Sequence, residues 1–303
     1  MKSRNLIIFS TLAAVSALSA ETSDWFPYTP KSDHSTESAI GLGEEWNSQP
    51  AGAHGYIEQR GDKLFYNGEE IKLWGTNIGY DGSNPDRETA QQLVNFYTKY
   101  GINALRHHKH LDGPKWAGFQ SDDSFLEFVE AELDEFDYFN HLLKESGIFW
   151  KHSPTFGVKF GPGDTDRIPY WQDFGEFNRI NRIRAPFGAI YLSRELQDMQ
   201  IEQTIKLLDH TNPYTGMRYA DDPALFCVEF FNEDSALFGG TNLILQRSPT
   251  LRQRTGEKFA QFLMDKYGSE KAWREAWGER VIVSNPENIG FNHLANLIKP
   301  DEV

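Results

Sequence analysis

Short apolar runs alternate with longer amphipathic segments through the middle of the chain. Three of these runs, INALRHH, IFWKHS and ALFCVEFF, begin at Ile102, Ile148 and Ala224. They do not alternate strictly between apolar and polar positions, which favours strands of a parallel sheet that is covered by helices. An earlier run, Ile71–Trp74, follows a predicted N-terminal β-hairpin. It is predicted to be the first of four buried strands.

The segments between the runs carry helix signals. Asn84 and Pro85 predict the start of the first helix, as N-cap and first helical residue, and Gly101 predicts its end. The second helix is predicted to stop at Gly147, and Ser193 is predicted to cap the third. Strands that alternate with helices in this way predict an α/β fold.

Two α/β architectures fit this alternation, the closed (β/α)8 barrel of the TIM type and the open doubly wound sheet. No glycine-rich dinucleotide loop follows the first strand. Polar residues instead gather near the carboxyl end of every predicted strand, where a barrel enzyme has its active-site rim. This placement favours the barrel, and the polar residues concerned are Asn77, Arg106, His108, His152, Asn232 and Glu233.

The fourth predicted strand ends in the pair Asn232-Glu233. If the strand runs to this pair, Glu229 and Glu233 share a face, because alternate residues of a strand point the same way. At the mouth of a barrel the Glu233 carboxyl would be partly desolvated and could hold a proton near neutrality. Such a group can act as the general acid/base of glycosidic bond cleavage. The alternative interpretation is that Asn232 and Glu233 merely begin a loop.

Glu229 and the histidine pair His108 and His110 require explanation. Glu229 would lie deeper in the barrel, and a buried carboxylate needs a partner, which we expect to be Arg106. His108 and His110 could face the same way, as ligands do in metal-dependent barrel hydrolases. The rest of that ligand set is missing, so we expect no metal here. Hydrogen bonds to a sugar or to Glu233 are the favoured roles of these histidines.

Charge and composition narrow the class of partner. The 303 residues carry a formal net charge of -14, which disfavours nucleic acid as the main partner and favours neutral or weakly charged ligands. Cys227 is the single cysteine, so an intrachain disulfide cannot form.

Residues 1–20 read as a secretory signal peptide. Lys2 and Arg4 precede an apolar run, and small residues follow it. A membrane anchor is the alternative, but the run is shorter than the roughly 20 residues that span a bilayer. We therefore expect a secreted or periplasmic protein. Residues 21–52 are predicted to be a loosely ordered N-terminal segment, and residues 53–303 the barrel domain.

Several stretches together resemble a known group of enzymes: LWGTN, NALRHH, LDEFDYFNHLLKESGIFW and LLDHTNPYTGMRYADDPALFCVEFFNEDS. They are similar to secreted bacterial cellulase-like proteins near glycoside hydrolase family 5, in the clan of retaining (β/α)8 glycosidases. KYGSEKAWREAWG resembles a helical insertion after strand four in family 42 β-galactosidase-like members. The Asn-Glu pair is the specific part of this resemblance.

The resemblance implies hydrolysis of β-linked polysaccharides or oligosaccharides by double displacement, with retention and without a cofactor. It implies that Glu233 is the general acid/base and that Asn232 contacts the sugar 2-hydroxyl. It further implies that Arg106 lies near the nucleophile and that His108 and His152 contact substrate. Asn77 is a candidate for the same site.

The chain departs from the clan in one respect. The clan's nucleophile is a glutamate at the end of strand seven, whereas the pattern here reaches four strands followed by helices. We therefore expect an incomplete barrel that consists of the first four β/α units and a helical insertion. Three explanations stay open: the sequence is a fragment, the fold is a half barrel, or the activity is lost. Two alternative functions stay open, a non-catalytic carbohydrate-binding barrel and a metal-dependent barrel hydrolase.

Overall fold

A computed structural model describes residues 41–42, 48–236 and 239–277. The predicted signal peptide and most of the N-terminal segment lie outside these residues, as does the chain after Trp277. The strands in chain order are β1 Glu58–Arg60, β2 Lys63–Tyr66, β3 Glu69–Glu70, β4 Gly75–Gly79, β5 Ala104–His108, β6 Phe149–Ser153, β7 Lys159–Phe160, β8 Ile183–Arg184, β9 Thr211–Asn212, β10 Met217–Arg218 and β11 Leu225–Val228. The α-helices are α1 Arg87–Lys99, α2 Glu130–Glu145, α3 Ala189–Leu192, α4 Arg194–Asp209, α5 Gly239–Arg247, α6 Pro249–Tyr267 and α7 Glu270–Trp277.

The central element is a four-stranded parallel sheet in the order β11-β6-β5-β4. Strand order therefore follows chain order without the reversal that marks a doubly wound sheet. The described strands form an open α/β sheet and do not close into a barrel. The predicted hairpin is present as β1 and β2, and β3 adds to it a third antiparallel strand. Two short antiparallel pairs, β7 with β8 and β9 with β10, lie in the connections.

Two predicted strands have different limits in the structure. The first parallel strand is β4 and not Ile71–Trp74, and the Trp74 side chain is 61% exposed although it was expected in the core. Asn103 explains the shift, because its side chain accepts a hydrogen bond from the Trp74 backbone N–H at 2.7 Å and donates to the Lys72 carbonyl at 3.0 Å. A side chain thus satisfies backbone groups that a neighbouring strand would otherwise pair.

The fourth parallel strand ends at Val228, three residues before the end of the apolar run and before the pair Asn232-Glu233 that was predicted to end it. Beyond it, the Glu229 N–H still donates to the His152 carbonyl at 2.8 Å. The neighbouring strand β6 ends at Ser153, so the chain after Glu229 leaves the sheet. Asn232 and Glu233 therefore lie in a loop.

Helix ends follow side-chain caps. Ser193 caps α4 as predicted, because its Oγ accepts a hydrogen bond from the Leu196 N–H at 3.1 Å. The first helix is capped by Asp86 and not by Asn84, since Asp86 Oδ1 accepts from the Thr89 N–H at 2.8 Å. The two helices predicted after strand four are present as α6 and α7, and α5 was not predicted. No helix in the described ranges is both long and apolar enough to cross a membrane.

The two faces of the parallel sheet differ in chemistry. One face packs on α1 and α2, where Leu105 joins a core that includes Val94 and Phe139. The opposite face carries its polar side chains toward the carboxyl ends of the strands. The register places Asn77 beside Arg106 and Arg106 beside Lys151, so these three side chains share that face. An apolar helix-facing side and a polar open side are what position the candidate site.

Candidate active site

Arg106 is the centre of the polar face. Its Nε and Nη2 donate hydrogen bonds to Oε2 of Glu229 at 3.2 and 2.8 Å. Its Nη1 donates to Oδ1 of Asn77 at 3.2 Å, and Nη2 also donates to Oδ1 of Asn232. One guanidinium therefore connects strand β4 with the loop after β11, across the whole width of the sheet. The expected partnership of Arg106 and Glu229 is confirmed.

The Glu229 carboxylate is held by two other residues besides Arg106. Its Oε2 accepts a hydrogen bond from the Ser153 hydroxyl at 2.5 Å and lies 3.4 Å from Lys151 Nζ. Burial raises the pKa of Glu229, but the hydrogen bonds from Ser153 and Arg106 and the two nearby cations outweigh it, so the pKa is lowered overall. Glu229 is thus an ionised carboxylate that positions Arg106.

His108 extends this network from the end of β5. Its Nδ1 lies 3.1 Å from Ser153 Oγ. The Ser153 hydroxyl has one proton, which it donates to Glu229, so it must accept the bond from a protonated His108 Nδ1. Desolvation, reinforced by the charges of Arg106 and Lys109, lowers the His108 pKa to about 4. His108 is therefore a neutral ring whose tautomer is determined by its neighbours.

The Asn232 side chain is 7% exposed, and its orientation follows from Arg106. An arginine side chain only donates hydrogen bonds, so the amide oxygen of Asn232 must face it. The amide NH2 group then points elsewhere, and no described residue accepts a hydrogen bond from it. It remains available to a ligand hydroxyl.

Glu233 is exposed and has a left-handed backbone with φ 47°. The expectation that Glu233 shares a strand face with Glu229 and is partly desolvated is wrong, because the strand ends before both residues. Its carboxylate makes no hydrogen bond or ion pair with another described residue. Glu233 thus stands at the carboxyl edge of the sheet, next to an amide that Arg106 holds in place.

The loop that carries Glu233 is tied down on its other side by Asp234. The Asp234 carboxylate accepts hydrogen bonds from the Gly188 N–H, at 3.0 Å for Oδ1, and from the Ser235 N–H at 2.8 Å. Desolvation raises the Asp234 pKa, although these two hydrogen bonds oppose it. Asn232 and Asp234 therefore fix the backbone on both sides of Glu233.

His152 is separated from this network. It lies on the helix-facing side of β6, 1% exposed, with Nδ1 3.0 Å from His110 Nε2. His110, which was expected to face the same way as His108, turns into the same core, where its ring stacks on Phe136. The cause is Lys109, whose φ of 60° ends the regular alternation directly after the strand. In this structure His152 faces the core, where a ligand on the polar face does not reach it.

Asn77 also differs from its expected place. It was expected beyond the end of the first strand, and it lies in the middle of β4.

The described residues hold no cluster of three or more His, Cys, Asp or Glu side chains arranged to bind a metal ion.

Two members of the network, Lys151 and Ser153, were not predicted. Both belong to the run IFWKHS, in which His152 was the predicted site residue. Residues two apart on a strand share a face, so Lys151 and Ser153 together were a signal for a polar face. Their alignment with Arg106 and His108 depends on the register, which the sequence did not show.

Comparisons with known proteins give limited information. No protein-family model matches the chain, and a search of curated proteins finds no match. Among solved structures, the chain is similar to an endo-1,4-beta-mannanase from Rhizomucor miehei, with 17% sequence identity and a TM-score of 0.45. The alignment covers 70% of this chain and 58% of the mannanase chain. A similarity at this level does not decide an activity.

Proposed function

We propose that this protein hydrolyses β-glycosidic bonds in polysaccharides or oligosaccharides, with Glu233 as the general acid/base of a retaining mechanism. The observation that supports it is the link from Arg106 to Asn232. This link holds an amide donor beside an exposed carboxyl at the carboxyl edge of a parallel sheet. That edge is where α/β enzymes place their reacting groups.

The roles follow from the geometry of the polar face. The Asn232 NH2 group would donate a hydrogen bond to a sugar hydroxyl next to the reacting carbon. A sugar that covers Glu233 would displace water from it, and a desolvated carboxyl keeps a proton to give to the leaving oxygen. Asn77 and His108 lie on the same polar network and would contact the sugar.

Retaining hydrolysis needs a second carboxylate about 5–5.5 Å from the first. Glu229 does not suit this role, because its Oε2 is engaged by Arg106, Ser153 and Lys151. The proposal assigns Glu229 to positioning and assigns no nucleophile.

The test is turnover of β-glucan, β-mannan and β-galactoside substrates by the full chain and by Glu233→Gln. We expect the variant to lose about 10²–10⁴-fold in kcat, the usual contribution of general acid-base catalysis. Glu275→Gln, at a side chain that is 68% exposed on α7, is the matched control and should retain full activity. Full activity of Glu233→Gln would refute the assignment.

The second candidate is a carbohydrate-binding protein without turnover. The engagement of Glu229 in ion pairs favours it, since Glu233 is then the one candidate carboxyl of the site that has no described partner. Binding of one of these sugars, with no product from any of them, would select this candidate.

A further inference from the structure

Three large residues at the carboxyl edge of the sheet adopt a left-handed backbone. Tyr80 directly follows β4 with φ 58°, Lys109 directly follows β5 with φ 60°, and Lys115 precedes Trp116 with φ 58°. This conformation is uncommon for residues other than glycine, and it costs on the order of 1 kcal/mol or more at each position. Strain of this kind concentrates at functional sites, so the three positions mark a candidate site.

Around the strained residues, three aromatic rings and one ammonium group lie together. Lys109 Nζ donates a hydrogen bond to the Tyr80 hydroxyl at 3.0 Å and lies 4.0 Å from the centre of the Phe156 ring. The Tyr80 and Trp116 ring centres are 5.6 Å apart. The Lys109 backbone is fixed, because its N–H donates to the Ser153 carbonyl at 2.9 Å.

Trp116 is 62% exposed, the most exposed large apolar side chain among the described residues. It packs against Tyr80 on one side and presents its surface to solvent on another. An aromatic face presented in this way suits the apolar face of a sugar ring.

Lys109 has no carboxylate partner among the described residues, since its contacts are the Tyr80 hydroxyl and two rings. The adjoining polar face also has more cations than carboxylates, because Arg106 and Lys151 share Glu229. His108, which connects the two groups of residues, is neutral. Lys109 therefore presents an ammonium group that no described carboxylate neutralises.

We propose that Tyr80, Lys109 and Trp116 form a binding site for a sugar ring that carries an anionic substituent. The rings would pack on the sugar, and the Lys109 ammonium would pair with the negative group. The site adjoins the polar face, because Lys109 follows His108 and His108 contacts Ser153. The inference rests on the proposed function and adds a charged sugar unit to it.

The total charge of -14 repels an anionic ligand at long range. Charges more than about 8–10 Å away are largely screened at physiological salt, so contacts within the site decide binding. Neutral or weakly charged ligands were expected from the sum of all charges, and that sum does not show that Lys109 lacks a carboxylate partner.

The test measures binding of the full chain to matched polymers by titration calorimetry at 0.15 M salt. The probes are a β-linked polyuronate, the same polymer after chemical reduction of its carboxyl groups, and a sulfated form of the reduced polymer. We expect the two anionic polymers to bind about tenfold more tightly than the reduced one, from one charge-assisted contact. A preference for the uronate over the sulfate, or the reverse, identifies the substituent.

Variants separate the site from general charge effects. Lys109→Met keeps the apolar stem and should remove the tenfold preference without changing affinity for the reduced polymer. Trp116→Ala should weaken all three polymers about tenfold. Lys271→Met removes the same charge from a side chain that is 86% exposed on α7, and should change nothing.

Two results would overturn the inference. The first is equal affinity for the reduced and anionic polymers, which would leave the proposed function intact if the reduced polymer is bound or cleaved. The second is an equal loss in Lys109→Met and Lys271→Met, which would show general electrostatic attraction. Absence of binding to all three polymers would count against the inference and the proposed function together.

Discussion

The Arg106 guanidinium donates two hydrogen bonds to a single oxygen of Glu229, from Nε at 3.2 Å and from Nη2 at 2.8 Å. The two residues belong to β5 and to the end of β11, with β6 between them. The pair therefore spans two strand spacings on the open face of the sheet. Both side chains are about one-quarter exposed, at 27% and 25%.

Replacement of Arg106 should affect both stability and sugar binding. Arg106→Met leaves Glu229 with Lys151 and Ser153 and releases the Asn232 amide. We expect the free energy of unfolding in urea to fall by about 2 kcal/mol, less than for a fully buried pair, because water reaches both groups. Arg60→Met is the control, since Arg60 forms an exposed pair with Glu58 and should matter little. Unchanged sugar affinity in Arg106→Met would contradict the role given to Asn232.

The two glutamates should respond differently to the same substitution. Glu229→Gln replaces an acceptor of several hydrogen bonds with an amide and should lower the free energy of unfolding by about 1–3 kcal/mol. Glu233→Gln changes an exposed group and should leave stability within about 0.5 kcal/mol while it lowers kcat about 10²–10⁴-fold. Urea unfolding and kcat measured on both variants check this. If Glu233→Gln lowered the free energy of unfolding and Glu229→Gln lowered kcat alone, the two assignments would have to be exchanged.

Three histidines of the helix-facing core should make stability depend on pH, in addition to His108, whose pKa is lowered to about 4. Desolvation lowers the pKa of His107 and of His152 to about 3, and that of His110 well below its usual value. Each stays neutral when folded and gains a proton when unfolded, near pH 6.5. The unfolded state therefore binds more protons at every pH between about 6.5 and 3, so stability falls as pH falls through this window.

Each such histidine contributes up to about 1.4 kcal/mol per pH unit below its unfolded pKa. Urea unfolding at pH 7, 6 and 5 measures the slope. His110→Phe, in a pocket lined by Phe119 and Phe136, should lower the slope by about one proton. Equal stability at pH 7 and 5 would show that these rings are not buried in their neutral form.

The cap of α4 gives a prediction that concerns the fold alone. Ser193 Oγ accepts a hydrogen bond from the Leu196 N–H at 3.1 Å and lies 2.6 Å from the Tyr170 hydroxyl. Ser193→Ala removes both contacts in a buried position and should cost about 1–2 kcal/mol. Ser193→Thr keeps the hydroxyl and should cost less. Thermal unfolding compares the two, and equal losses would argue against the cap.

The sequence by itself determined the local elements and one long-range pair. Ser193 was recognised as a cap because a capping serine acts on the N–H three residues later, within the same segment. The α/β class followed from alternating segments. The pairing of Arg106 with Glu229 followed from the cost of burying a lone carboxylate, which needs a partner. Arg106, near the end of the second predicted strand, was placed to be that partner.

Only the tertiary structure decided where the strands end and which way their last residues point. A strand continues while its neighbour offers backbone groups to pair with, so β11 stops near the level of Ser153 whatever its own apolar pattern suggests. The start of the first strand also depends on a distant residue, because the Asn103 side chain, 29 positions later in the sequence, bonds the Trp74 N–H. Glu233 is exposed, and His110 is buried beside His152, because the backbone leaves the regular strand before each of them. Single-sequence periodicity assumes that the strand goes on, and it has no access to the partner that ends it.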